Sequence, residues 1–184
     1  MTTFYPKTTE PATELVNSII TFLREGHPQL HDPAPPAWAD GDPCPAGHFS
    51  IPEGTYLYSG YAPEEAQTPY IAVGVHDACL RHVPDDDRVW DVPVKILYVE
   101  NQDTWDPDDT PEVLRQLQND LFANAAIETP TYTEYPATER LTRSDIHVFY
   151  IYDVRVGPVT EEIGQMHPGH ALTAWIRCSG ITPG

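Results

Sequence analysis

Three stretches of this sequence alternate between apolar and other residues, and no other feature constrains the fold as strongly. Such alternation places every second side chain on one face of a β-strand. The first stretch, residues 89–100, becomes apolar on both faces in its second half, so that half is predicted to be covered on both sides. The other two flank the Gly- and Pro-containing linker 157–170 and predict a hairpin with a long, mobile tip. The alternating sets are Trp90, Val92, Val94, Ile96 and Tyr98; Ile146, Val148, Tyr150, Tyr152, Val154 and Val156; and Leu172, Ala174, Ile176 and Cys178.

Two other stretches carry apolar residues at the three- and four-residue spacing of a helix with one buried face. Thr8 or Thr9 is a suitable N-cap for the first helix. Thr110 is the predicted N-cap of the second helix and Pro111 its first residue, and the aspartates before them favour the positive end of the helix dipole. The apolar stripes are Leu15, Val16, Ile19, Ile20 and Leu23 in the first helix, and Val113, Leu114, Leu117, Leu121 and Phe122 in the second.

The remaining elements complete an α+β pattern. Residues 56–58 and 70–75 are predicted short strands that form a hairpin, whereas seven prolines within residues 27–53 predict a long irregular loop. The order helix, hairpin, long strand, helix, hairpin predicts a mostly antiparallel sheet with two helices packed on one face. We expect a single domain over residues 9–182, preceded by an extended arm, residues 1–8. The residues expected to be buried are Leu15, Ile19, Leu23, Val94, Ile96, Leu117, Leu121, Val148 and Ile176.

The chain carries 28 acidic against 10 basic residues, which gives a formal net charge of −18. Such a surface repels phosphate, so it argues against a basic nucleic-acid interface and against binding to anionic membranes. The cysteines, Cys44, Cys79 and Cys178, are an odd and scattered set, so a reducing compartment is the simpler interpretation. The N-terminus lacks a signal-peptide pattern and the apolar runs are too short to span a bilayer. We therefore expect the protein in the cytosol or in a particle assembled there.

Residues 103–109 are the strongest metal candidate in the sequence, because four aspartates fall within them. A calcium loop also needs a glycine at its sharp turn and a closing glutamate, and both are missing here. An acidic helix start is therefore the favoured interpretation. The close pairs His27 with His31 and His167 with His170 each supply too few ligands for zinc and are interpreted as ordinary loop histidines.

The segment from His76 to Cys79 places an imidazole, a carboxylate and a thiol close in sequence, but adjacency alone does not activate a nucleophile. Cys79 is interpreted as a small apolar filler. Neither a G-x-S-x-G elbow nor a glycine-rich phosphate loop occurs. The sequence therefore predicts no catalytic residue, no cofactor and no metal site, and hence a protein that is not an enzyme.

Tyrosines cluster on and near the predicted strands. Tyrosine is favoured both in sheets and at protein interfaces, so both interpretations stay open, with sheet propensity preferred. These tyrosines are Tyr56, Tyr58, Tyr61, Tyr70, Tyr98, Tyr150 and Tyr152.

Several local patterns follow one another in a fixed order along residues 10–180. They are the helical stripe Leu15–Leu23, the strand Tyr56–Tyr58, the proline-led strand Thr68–Val73, the tryptophan-led strand Val89–Ile96, the helix start Thr110–Pro111 and the C-terminal hairpin. This layout resembles the tail-terminator (tail-completion) proteins of long-tailed bacteriophages. The resemblance implies a structural virion protein without enzymatic activity. It implies a ring of six copies that caps the tail tube and joins it to the neck, with the tail tube protein and a neck or head-completion protein as partners.

The sequence departs from that family in the proline-rich insertion, residues 27–53, and in the long hairpin tip. A head-closure or connector protein of the neck is therefore the nearest alternative. A ring around DNA benefits from an acidic lumen, which lets DNA pass without specific binding. Candidate lumen residues, with no choice made among them, are Glu64, Glu65, Asp85, Asp86, Asp87, Glu161 and Glu162.

Two hypotheses from other classes stand beside the ring. A DNA-mimic inhibitor would also be acidic, but the acids here are dispersed through turns such as residues 85–87 and 103–109 instead of lying along one face. An enzyme that uses His76, Cys79 or a carboxylate pair is the third hypothesis. It requires a pocket that brings those groups together.

Overall fold

The computed structural model shows an α+β fold in which a mixed sheet carries two short helices. The residues it describes are 4–6, 11–25, 41–43, 51–52, 54–60, 62–75, 81–83, 86–100, 102–121, 138, 141–142, 146–159 and 168–183. Its elements are β1 (Phe4–Pro6), α1 (Ala12–Glu25), β2 (Asp42–Pro43), β3 (Tyr56–Ser59), β4 (Tyr70–Val75), β5 (Arg81–Val83), β6 (Asp86–Val99), a 3₁₀ turn (Gln102–Thr104), α2 (Glu112–Gln116), a π-helical turn (Leu117–Leu121), β7 (Ile146–Val159) and β8 (Gly169–Pro183).

The strands form a sheet in the order β1-β8-β6-β4-β3-β2, with β5 also paired to β6 and β7 to β8. Every described pairing is antiparallel except that of β3 with β4, which runs parallel from Tyr56 opposite Tyr70 to Ser59 opposite Val73. The predicted hairpin between residues 56–58 and 70–75 is therefore wrong. The connection between Ser59 and Tyr70 is long enough to return the chain to the level at which β3 begins, so that β4 runs in the same direction as β3. A tight hairpin turn would have made the two strands antiparallel.

The main core lies against one face of the sheet, and this face is called the helix face because residues of α1 and α2 belong to its buried cluster. Side chains of α1, α2, β4, β6, β7 and β8 form one buried cluster there. Ser18 of α1 is buried and donates a hydrogen bond to the carbonyl of Leu141 at 2.6 Å, which fixes the helix against the segment before β7. The predicted burial is confirmed at Leu15, Ile19, Leu23, Val94, Ile96, Leu117, Val148 and Ile176, whereas the side chain of Leu121 lies outside the described part of the chain.

The long strand β6 confirms the prediction made from its alternation. Its even-numbered apolar residues face the helices, while Leu97 and Val99 are buried on the other face. Pro93 pairs with Trp175 of β8, and on the opposite edge it falls between the parts of β6 that pair with β5 and with β4. A proline is tolerated there because it lacks the N–H that a continuous ladder would need.

Strand β7 departs from its predicted alternation. The register shifts between Val148 and Tyr150 and again between Tyr152 and Arg155, so each shift inserts an extra residue. One extra residue turns all following side chains to the other face until a second restores the phase. Ile151 is consequently 1% exposed in the core, while Tyr150 and Tyr152 leave the face predicted for them.

The second helix begins later than predicted. Pro111 takes the N-cap position of α2 without a side-chain hydrogen bond, so Thr110 is not the cap. The carboxylate of Asp106 accepts a hydrogen bond from the N–H of Asp108 at 2.9 Å, and its carbonyl accepts one from the N–H of Asp109 at 3.2 Å. These acids form a turn of their own ahead of the helix.

The predicted proline-rich loop, residues 27–53, contains a short strand. Asp42 and Pro43 pair with Leu57 and Tyr56 as β2, which corrects the expectation of an entirely irregular segment. Most of the remaining loop lies outside the described residues.

The β7–β8 hairpin is confirmed and is longer than predicted. Pairing continues to Val159 opposite Gly169, so both ends of the predicted tip, residues 157–170, are strand. A Cβ at position 169 would come within 2.5 Å of the carbonyl oxygen of Tyr98, so glycine is required where β8 begins beside β6. Residues 160–167 lie outside the described chain. The predicted N-terminal arm contributes β1, which pairs with the end of β8.

Candidate functional site

The open face of the sheet is the side opposite the helix face, and one half of it is covered by the chain itself. The segment 60–69 links β3 to β4, and its residues Ala62 and Ala66 pack against a second buried cluster. That cluster consists of Tyr70, Ala72, Leu97, Val99 and Ala171.

The other half of the open face presents charged and aromatic side chains from four strands. The strand register places them in two adjacent rows across β5, β6, β8 and β7. The first row is Arg81, Asp91, Arg177 and Tyr150, and the second is Pro93, Trp175 and Tyr152. We call Arg81, Asp91, Tyr150, Tyr152, Trp175 and Arg177 the Arg–aromatic patch.

A carboxylate with two arginines anchors the first row. The side chain of Asp91 is 5% exposed, and Arg177 donates to its two oxygens from Nε at 3.0 Å and from Nη2 at 3.2 Å. Arg81 Nε lies 3.8 Å from Asp91 Oδ2. The hydrogen bond to Asp91 raises the pKa of Arg177 above its ordinary value. Two cations thus surround one anion, and the group keeps a net positive charge.

The aromatic side chains of the patch stand side by side. Trp175 and Tyr152 are near-parallel, with ring centroids 6.3 Å apart, and Tyr152 and Tyr150 are near-parallel at 6.0 Å. The Arg81 guanidinium lies 4.5 Å from the centroid of the Trp175 ring, and its Nη2 donates a hydrogen bond to the hydroxyl of Tyr152 at 3.4 Å. Each ring therefore lies beside a near-parallel neighbour, and the patch also presents hydroxyls and guanidinium groups.

The outer end of the patch is strongly exposed. Tyr150 is 52% exposed and its bulged neighbour Phe149 is 47% exposed. These two are the large apolar side chains that stand out as exposed among the residues whose burial is described. Because arginine N–H groups and tyrosine hydroxyls lie next to them, the patch can bind a carboxylate or a carbonyl oxygen together with an apolar contact.

The structure does not bring the predicted candidate residues together. The aspartates at 103, 106, 108 and 109 are exposed on their own turn. His170 is buried within β8 against Trp105, at 6.1 Å between ring centroids, so it is not the loop histidine that was predicted. The pair His27 and His31, the segment 76–79, and His167 lie outside the described residues.

Cys178 is the cysteine whose surroundings the structure describes, and it is fully buried on the helix face. Burial, with a smaller contribution from Asp91, raises the pKa of its thiol to about 12. A thiol with that pKa stays protonated at neutral pH, which is the condition of a structural cysteine.

Sequence reasoning identified two tyrosines of the patch and missed its other four residues. A signal for them was available in the alternation itself. Trp175 and Arg177 fall in the outward phase of β8, and Asp91 falls in the outward phase of β6. A tryptophan and opposite charges in the outward phases of two long strands indicate a patch, but the sequence does not say that the strands are neighbours.

Within the described residues, no group of three or more His, Cys, Asp or Glu side chains is placed to hold a metal ion. None of the described helices has the length and apolar character needed to cross a membrane.

No protein-family model matches this chain, and no curated protein matches it in sequence.

Proposed function

We propose that this protein is a structural subunit of a phage virion. Copies of it form a ring, expected to be hexameric, that ends the tail tube and joins the tail to the neck after assembly in the host cytoplasm. The proposed partners are further copies of the chain, the tail tube protein and a neck or head-completion protein. The proposal includes the finer architecture, in which both helices lie on one face of a mostly antiparallel sheet and the proline-rich loop, residues 27–53, meets the tube.

The Arg–aromatic patch is the observation that carries this proposal. Arginine, tyrosine and tryptophan are the residue types that most often dominate the binding energy of protein interfaces. In the patch they are held by ion pairs and ring contacts, with Arg177 fixed on Asp91 and Arg81 on Trp175. Side chains ordered in advance lose little conformational entropy when a partner binds. An assembly protein needs such a surface.

The acidic charge supports a channel through which DNA passes. Glu64 and Glu65 are exposed in the segment that packs on the cluster containing Val99. In a ring whose channel passes this segment, their carboxylates would add negative charge to the lumen.

The direct test is the size and shape of the purified protein. Sedimentation velocity and electron microscopy of the full chain should show a closed ring, with contacts that each bury more than about 1,000 Å². Phage lacking the protein should make filled heads and tails of uncontrolled length that fail to join. A strictly monomeric protein, or normal joined tails in its absence, would contradict the proposal and favour an inhibitor or an enzyme.

A further inference from the structure

We infer that the Arg–aromatic patch of one copy binds the acidic turn of the next copy, formed by residues 103–109, so that subunits associate head to tail. This inference rests on the proposed ring and names the contact that would build it. The occupant is a second copy of this chain because the charge distribution favours it.

Charge complementarity is the first argument. The chain has 28 acidic and 10 basic residues, yet two arginines share a single carboxylate in the patch. An acidic surface would be attracted to this positively charged group of side chains, and each copy of the chain carries such an acidic surface in residues 103–109. Asp106, Asp108 and Asp109 are all exposed on the turn that Asp106 stabilises by its own hydrogen bonds, so the turn is a defined acidic surface.

The side chains of the patch also restrict the kind of ligand that it can accept. Near-parallel neighbours and the Arg81 guanidinium already contact the faces of the Trp175 and Tyr152 rings. A nucleobase or a sugar ring that stacks on Trp175 or Tyr152 would therefore compete with contacts that already exist there. Guanidinium groups and ring edges remain, and these suit carboxylates from a protein turn.

The patch and the acidic turn lie at different positions on the subunit. Asp91 lies near the start of β6, and the acidic turn follows the end of β6 after Val99. The eight residues between them extend about 25 Å, so the two surfaces are distinct and lie toward opposite ends of the sheet. A contact between two different surfaces repeats from copy to copy and closes into a ring when the rotation allows it.

The test uses charge reversal with a matched control. Arg81 is 61% exposed and Arg115 on α2 is 54% exposed, so Arg81→Glu and Arg115→Glu change the same net charge at comparably accessible sites. In sedimentation velocity, Arg81→Glu should weaken association at least about tenfold, whereas Arg115→Glu should leave it within about twofold. The double variant Asp108→Arg/Asp109→Arg should also fail to associate, because its patch meets a turn of reversed charge.

Mixing the two defective proteins provides the decisive measurement. An Arg81→Glu subunit and an Asp108→Arg/Asp109→Arg subunit have complementary contacts in both directions, so an equimolar mixture should associate again and close rings of even number. Wild-type rings that persist in Arg81→Glu would overturn this inference and leave the proposed function standing. Equal loss in Arg81→Glu and Arg115→Glu, or no recovery on mixing, would also overturn it. A monomeric wild-type protein would overturn both.

Discussion

The two faces of the sheet are built from the same strands but are organised by different interactions. On the helix face, apolar side chains of the strands pack with those of α1 and α2 and are almost inaccessible to solvent. Ile176 and Ile96 are 0% exposed. On the part of the open face that carries the Arg–aromatic patch, ion pairs and ring contacts hold partly exposed side chains around the buried carboxylate of Asp91. Neighbouring residues of β8, Trp175 and Ile176, therefore belong to different parts of the molecule.

This difference indicates where the energy of folding and the capacity for binding reside. Burial of apolar area dominates folding, so the helix face should control stability. Exposed ion pairs and partly exposed aromatic contacts contribute less, so the open face can change with smaller cost to the fold.

The largest expected effect separates the two neighbours on β8. Ile176→Ala should lower the free energy of unfolding by about 2–5 kcal/mol, because it leaves a cavity in a fully buried site. Trp175→Ala should cost less, about 1–2 kcal/mol, because it removes ring and cation–π contacts at a partly exposed site. Urea denaturation of both variants measures the difference. A larger cost for Trp175→Ala would mean that the open face is part of the folding core.

The next effect concerns the buried carboxylate of the patch. Arg177→Met should destabilise the protein by about 1–3 kcal/mol, because Asp91 loses both close hydrogen bonds and keeps Arg81 at 3.8 Å. The double variant Asp91→Leu/Arg177→Met should be less destabilised than Arg177→Met alone, because it removes the unpaired charge. Thermal or urea unfolding of Arg177→Met, Asp91→Leu and the double variant tests this. Simple additivity of the two substitutions would show that the pair does not act as a unit.

Alkaline pH should lower the free energy of unfolding through two groups buried on the helix face. Burial raises the pKa of Cys178 to about 12 and that of Tyr98 to about 12, from ordinary values of 9.0 and 10.0. Both groups lose their protons at a lower pH in the unfolded chain than in the folded one. Their contribution to the free energy of unfolding is therefore complete below pH 9.0 and is lost as the pH rises toward 12. Unfolding free energies should fall by roughly 1–3 kcal/mol between about pH 9 and 11.

The matched control for that pH dependence is the variant Cys178→Ala/Tyr98→Phe, which lacks both ionisable groups. Its unfolding free energy should change less over the same range when measured by urea denaturation. An unchanged slope in this variant would assign the alkaline transition to other groups.

The smallest expected effect is that of the exposed cation in the patch. Arg81→Gln removes the contact with Trp175 and the distant ion pair with Asp91, and it should cost about 0.5 kcal/mol or less. The same substitution should disturb subunit association. Thermal unfolding of Arg81→Gln under conditions that keep the protein monomeric isolates the folding effect. A loss above about 2 kcal/mol would place Arg81 among the residues that hold the fold.

The burial on the helix face could be predicted from the sequence, whereas the residues that meet on the open face largely could not. Burial at Leu15, Val94 and Ile176 follows from helical spacing and strand alternation, which depend on residues close together in the chain. The parallel pairing of β3 with β4 does not follow, because an apolar strand carries the same pattern in either direction. The N-cap predicted at Thr110 is wrong because Pro111 takes that position, while Asp106 accepts a hydrogen bond within its own turn.

The patch depends on contacts between residues that are distant in the chain. Arg177 and Asp91 are 86 positions apart, and Arg81 and Tyr152 are 71 positions apart. Each of these residues is unremarkable in its own segment, and pairing of β6 with β8 and of β8 with β7 brings them together. The sequence therefore contained the residue types, whereas strand order and register determined which of them meet.

The two register shifts of β7 compensate for each other, because the first changes which face each side chain points to and the second restores it. The first extra residue, at Phe149, changes the phase, and the second, next to Asp153, restores it. Between them a short window is inverted, so Ile151 faces inward and the tyrosines on either side face outward, while the strand before and after keeps its original phase. The backbone at Asp153 takes the left-handed conformation, with φ at 54°, which short polar residues tolerate best. Substitutions between the two extra residues can therefore change this part of the surface without changing the orientation of side chains in the rest of the strand.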